Sequence, residues 1–165
     1  MARPDRHGTD LELRTRPGGG GDSFRRILVP VDGSAMSAAA VAAAARLSVA
    51  MDGEVRVVHV RIYDPPARCC GRFYPETSQG ALAVLDSAVS SAWACGARAS
   101  GIVVEERRSR AAQAICASAR SWRADLIVLA RRRRLLVSRL FLGSVSYAVL
   151  ARAACPVLVV RVGRS

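Results

Sequence analysis

The sequence predicts an α/β fold: a single doubly wound domain on a parallel sheet, with helices on both faces. Two observations carry this. Short uncharged runs such as Ile27-Leu-Val-Pro-Val31, Leu126-Ile-Val-Leu129 and Val157-Leu-Val-Val160 have the unbroken apolarity of strands buried on both faces. Between such runs lie stretches long enough for helices, and strands that alternate with helices run parallel in one sheet.

Residues 1–23 are rich in Arg and Gly, show no apolar period and read as a flexible tail ahead of a domain over 24–163. The four glycines 18–21 precede the first strand, so they are no dinucleotide fingerprint, which follows one. Strand one is Ile27–Val31. Asp32-Gly33-Ser34 turns the chain, Ser34 caps a helix over 35–51, and Gly53 ends it. Val55–Val60 is the second strand. Residues 61–77, with three prolines, Cys69-Cys70 and Gly71, read as a long loop. A helix over 78–99 is weakened by Gly96 and ended by Gly101. Strand three, Ile102–Arg107, gathers charge towards its end, which suits a sheet edge. Ser109 is expected to cap a helix that sets Ile115, Ala119 and Trp122 on one face. Leu126–Leu129 is a central strand, Ser144–Ala153 a short helix and Val157–Val162 the fifth strand.

Composition narrows the function. The net charge is +12, and all 25 basic residues are Arg. That charge attracts polyanions, but it is scattered and aromatics are only 5%, so specific nucleic-acid binding is not expected. No apolar stretch has membrane-spanning length and the first 24 residues lack a secretory h-region, so no membrane association and a cytoplasmic location are expected. The five cysteines show no metal-ligand spacing; Cys95, Cys116 and Cys155 read as small core residues, and Cys69-Cys70 as a loop dithiol. No metal site is expected. Nor is an enzyme: there is no Gly-x-Ser-x-Gly elbow, Walker lysine, HExxH or Cys/His pair. Asp32 and Glu105 could be an acid and base only if their separate strands bring them together. His59 reads as a packed histidine near a strand end.

Ligands of doubly wound sheets bind beyond the carboxyl ends of the strands, where the winding reverses. Two loops qualify. One is Asp32-Gly33-Ser34, whose carboxylate serves either a ligand or the following helix. The other runs from Arg131 to Gly143, where four arginines follow a strand and Gly143-Ser144 opens a helix with free N–H groups. Ser144 serves that helix as a cap, an anion as a ligand, or both.

Taken together, Ile27-Leu-Val-Pro-Val-Asp-Gly-Ser34, Val58-His-Val60, Ala124-Asp-Leu-Ile-Val128, Leu142-Gly-Ser-Val-Ser146 and Cys155-Pro-Val-Leu-Val-Val160 resemble the universal stress protein (UspA) family from about Phe24 to Val162. The resemblance implies strand order 3-2-1-4-5 in a five-stranded sheet. It also implies a homodimer paired through the last strand and a stress-response role without established catalysis. ATP-binding members carry G-x2-G-x9-G-(S/T) after strand four, and this chain has Ala130-x2-Arg133-x9-Gly143-Ser144. By that match Asp32 and Val60 would meet adenosine. Gly143, Ser144 and Val145 would lie by ribose and phosphates, with Ser146 close behind. Ala130 and Arg133 stand where two glycines would allow close backbone approach.

The expected function is therefore that of a non-enzymatic universal stress protein-like molecule with a degenerate adenine-nucleotide pocket, in which ATP with Mg²⁺ binds weakly or not at all. If two charge-assisted contacts are lost at about 1.5–3 kcal/mol each, affinity falls roughly 100- to 10,000-fold. Two alternatives remain open at this point. Arg131, Arg132 and Arg134, with Arg133, could grip phosphate in a nucleotide or anion sensor. Or the basic surface docks an acidic protein partner.

Overall fold

The computed structural model describes residues 24–64, 71–132 and 143–162, with backbone only for Arg131, Arg132 and Val162. The tail 1–23, Cys69-Cys70, and Arg133 and Arg134 lie outside the described residues. Five strands form one sheet in the order β3-β2-β1-β4-β5, as the resemblance implies. They are β1 (Arg26–Val31), β2 (Glu54–Tyr63), β3 (Arg98–Arg107), β4 (Leu126–Arg132) and β5 (Val157–Val162), all paired in parallel. Helices α1 (Ala35–Ala50), α2 (Ser78–Ala94), α3 (Ala111–Trp122) and α4 (Ser144–Arg152) complete it.

Alternation along the strands builds two cores. Ile27, Val29, Val55, Val57 and Val128 pack with Ala40, Val41 and Ala44 of α1 and with Val89 and Ala92 of α2. Leu28, Val58, Ile127 and Leu129 face the other way, onto Ile115, Ala119 and Trp122 of α3 and Val149 of α4. The expected apolar face of α3 is thus the one it buries. At the amino-terminal edge of the sheet, the Asp125 carboxylate accepts from the backbone N–H of Arg25 (2.9 Å) and of Arg26 (3.0 Å), clamping β1 beside β4.

Helix ends are where the structure departs from expectation. Gly53 does not supply the left-handed residue after α1; Asp52 does, at φ 50°. Asp52 N–H reaches Val49 O (3.4 Å) and Gly53 N–H reaches Ser48 O (2.7 Å), a Schellman closure. Gly53 is needed for another reason: a Cβ there would sit 2.7 Å from Arg25 O. Helix α2 stops at Ala94, not at 99, because Gly96 takes φ 81° and Ala97 N–H bonds Ala92 O (3.1 Å). Gly101 therefore lies inside β3, where a Cβ would come within 2.7 Å of Leu85 Cγ; the glycine lets α2 approach the strand. Ser109 caps nothing: a 3₁₀ turn, Arg108–Arg110, leads into α3 without a side-chain cap. β2 runs on to Tyr63 through the first part of the expected loop, and Asp64 bridges antiparallel to Phe73. β4 likewise continues through Arg132, so the first two arginines of the run belong to the strand.

Among the described residues, no helix is long and apolar enough to cross a membrane. Cys116 is buried and Cys155 half-buried, as expected of core residues, and burial is the main reason both thiols are pushed up from the ordinary value. Cys95, at the end of α2, is exposed instead.

A cavity at the switch point of the sheet

β1 and β4 pair only at Ile27–Leu126 and Leu28–Ile127. Beyond Leu28, β1 stays with β2 as far as Val31–His59, while β4 follows β5 as far as Arg132–Val162. The two middle strands therefore part at their carboxyl ends, where the winding reverses, and a cavity of about 310 Å³ lies there. That volume is at the small end of the range for small-molecule sites, which begins at about 300 Å³.

Each wall comes from a different element. β1 and its turn supply Val31, Asp32 and Ser34. β2 supplies His59, Val60 and Ile62, and β4 supplies Leu129 and Ala130. α4 adds Val145, Ser146 and Val149, and the β3–α3 junction and α3 add Arg108, Ala111 and Ile115. The structure thus brings Asp32, Val60, Ala130, Val145 and Ser146 together as the sequence suggested. Gly143 and Ser144 are exposed and lie outside the lining. Gly143, not Ser144, is the N-cap residue of α4, and its φ of −52° is open to any residue. Among the described residues, a Cβ on Gly143 would meet nothing within 4 Å.

Asp32 does serve its helix. Its Oδ1 accepts from Ser34 N–H (3.0 Å), and Ser34 Oγ in turn accepts from Ser37 N–H (3.2 Å) as the N-cap. Burial pushes the Asp32 carboxyl up, but hydrogen bonds from Ser34, side chain and backbone, and from Ser37 outweigh it and hold the group below its ordinary value. A carboxylate so held stays ionised at neutral pH. Gly33, at φ 76°, makes the turn that exposes it.

His59 is not near a strand end, since β2 continues to Tyr63. It is buried, and both ring nitrogens are engaged: Nδ1 donates to Val31 O (2.9 Å), and Nε2 lies 2.7 Å from Glu76 Oε2. A carbonyl oxygen only accepts, so the proton on Nδ1 follows from that contact. The two bonds tie the end of β1 to the segment that leads into α2. Glu105 is spent elsewhere: it accepts from Tyr74 Oη (2.6 Å) and Arg61 Nη1 (2.8 Å), and these contacts hold its carboxyl below the ordinary value. Asp32 lines the cavity and Glu105 does not, so the two are not brought together there as an acid/base pair.

Among the lining residues outside the expected site are Met36, His59, Ile62 and, above all, Arg108. Arg108 gave no signal because nothing local shows which arginine around the β3–α3 junction, Arg107, Arg108 or Arg110, faces the switch point. Among the described residues no cluster of three His, Cys, Asp or Glu is placed to hold a metal ion. Asp32 is the single carboxylate in the described lining, so Mg²⁺ arriving with ATP would be held mainly through the phosphates.

The family model described as universal stress protein family matches residues 23–161. The Thermus aquaticus "Universal stress protein in QAH/OAS sulfhydrylase 3'region" is 35% identical over 142 residues, covering 84% of this chain and 99% of that protein. Universal stress protein YxiE of Bacillus subtilis is 30% identical over 150 residues, covering 84% and 99%. Among solved structures, the universal stress protein from Archaeoglobus fulgidus in complex with dAMP has a TM-score of 0.65 and 25% identity, covering 83% of this chain and 98% of that one.

Proposed function

The chain belongs to the universal stress protein family, and on that premise we propose that it is a non-enzymatic stress-response protein whose cavity takes the nucleoside part of an adenine nucleotide and holds the triphosphate of ATP weakly. The observation that carries this reading is the position of Ala130. It stands where ATP-holding members have their first glycine, and here it is a ladder residue of β4, paired with Val160 and lining the cavity. It carries a Cβ that a glycine would lack, on a side chain packed against the core beneath α1 and α2. The nucleoside end keeps its parts: Asp32 offers an ionised acceptor, and Val60 an apolar wall. Support for a nucleotide comes from the dAMP-bound relative, whose ligand has a single phosphate.

The absence of catalysis is proposed on chemical grounds. In the described lining, His59 has both nitrogens committed, and the Asp32 carboxylate and the Ser34 hydroxyl are both engaged in capping α1, which leaves no free base beside a free nucleophile.

Titration calorimetry with adenosine, AMP and Mg·ATP tests the proposal. Binding of adenosine or AMP is expected, with ATP gaining nothing from its extra phosphates. Low-micromolar ATP binding that is much tighter than AMP binding would sink the degenerate-pocket reading. A second reading, phosphate grip by Arg131–Arg134, draws on the ladder that carries the first two arginines to the carboxyl edge. It requires salt-sensitive ATP binding that disappears when all four become Ser.

A further inference from the structure

We propose that Arg108 makes this cavity select a phosphorylated ligand, gripping the phosphate from the β3–α3 side. The inference rests on the reading of the cavity as a nucleotide site and adds which residue reads the charge and which way the ligand lies.

Three observations lead there. First, Arg108 is the one cation in the described lining. Second, its guanidinium has no ion pair or hydrogen bond among the described residues, whereas three arginines of β2 and β3 are engaged. Arg61 is taken by Glu105 (2.8 Å) and the Glu76 carbonyl (3.1 Å), Arg98 by Asp52 (3.1 Å), and Arg56 lies over the Trp122 ring (4.7 Å). Third, the cavity is electrically polar. Asp32 is ionised at the end of β1, and Arg108 follows β3, two strands away in the sheet. At the spacing of adjacent strands that separation is roughly 10 Å.

A phosphate is repelled at the Asp32 end and attracted at the Arg108 end. A nucleoside donates hydrogen bonds to a carboxylate through its hydroxyl or amino groups. The ligand that satisfies both ends is a nucleoside monophosphate lying across the tops of β1 and β2, with the planar fork of Arg108 meeting two phosphate oxygens. The grip comes from a side chain, so it needs no glycine at the positions of Ala130 and Arg133.

Calorimetry at low salt with adenosine and AMP, on the wild type, Arg108→Met, Arg108→Lys and a variant with Arg131–Arg134 all changed to Ser, tests this. Arg108 is exposed, so its substitution should leave the fold intact, which circular dichroism checks. The wild type is expected to prefer AMP by about tenfold, the size of one charge-assisted contact. Arg108→Met should erase that preference without changing adenosine binding, Arg108→Lys should keep part of it, and the four-serine variant should keep all of it. The inference is overturned if Arg108→Met weakens both ligands alike, if it leaves the AMP preference intact, or if the four-serine variant loses it. If the wild type binds neither ligand, the nucleotide reading itself fails and this inference goes with it.

Discussion

At the scale of single residues, the cavity is shaped by groups that do two jobs. Asp32 orders the turn before α1 and presents a charge to the cavity, and the same hydrogen bonds account for both. His59 contributes a wall while holding the β1 end to Glu76. Replacing it with Leu keeps the bulk but leaves Val31 O and the Glu76 carboxylate without their partner. His59→Leu should therefore lower stability by about 1–3 kcal/mol, read from urea unfolding. A variant as stable as the wild type would mean that water replaces the ring at no cost. The arrangement was half legible in the sequence: a histidine in an apolar strand reads as packed, but nothing local names Glu76, seventeen residues on.

At the scale of elements, helix ends decided more than helix interiors. α3 closes through Arg123, which sits at φ 57°, with Ala124 N–H bonded to Ala119 O (2.8 Å). A left-handed arginine carries a Cβ clash that glycine lacks. Arg123→Gly should accordingly raise stability by about 0.5–1 kcal/mol, after the greater freedom of glycine in the unfolded chain is counted. Thermal unfolding reads this as a rise of about 2 °C; a fall would show that the arginine side chain contributes more than its backbone strain costs. Glycine was a good but ambiguous guide to such ends. Gly96 has the positive φ that ends a helix, whereas Gly53 and Gly101 are demanded by Arg25 and Leu85, both distant in sequence. That ambiguity displaced the end of α2 and the start of β3.

At the scale of the whole molecule, β5 is an edge strand with Leu158 42% exposed, and Tyr147 and Leu150 of α4 are also exposed. An apolar strand edge of this kind invites a second copy, the homodimer that the family resemblance implies. Light scattering should find a dimer for the wild type and a monomer for Leu158→Lys, since a buried, unpaired charge is costly. A monomeric wild type, or an unshifted variant, would remove β5 as the interface. Ser146 entered through the family resemblance, whereas the alternation of apolar runs with helical stretches and the Asp32 turn could be read from the sequence alone. Their information is local: two-faced burial is written as unbroken apolarity, and a turn as Asp-Gly-Ser. What only the tertiary structure decided is where β1 and β4 part, and that Arg108 faces the resulting space while Gly143 and Ser144 stand outside it. Those facts depend on strand lengths and register, which distant packing sets and which no short stretch of residues records.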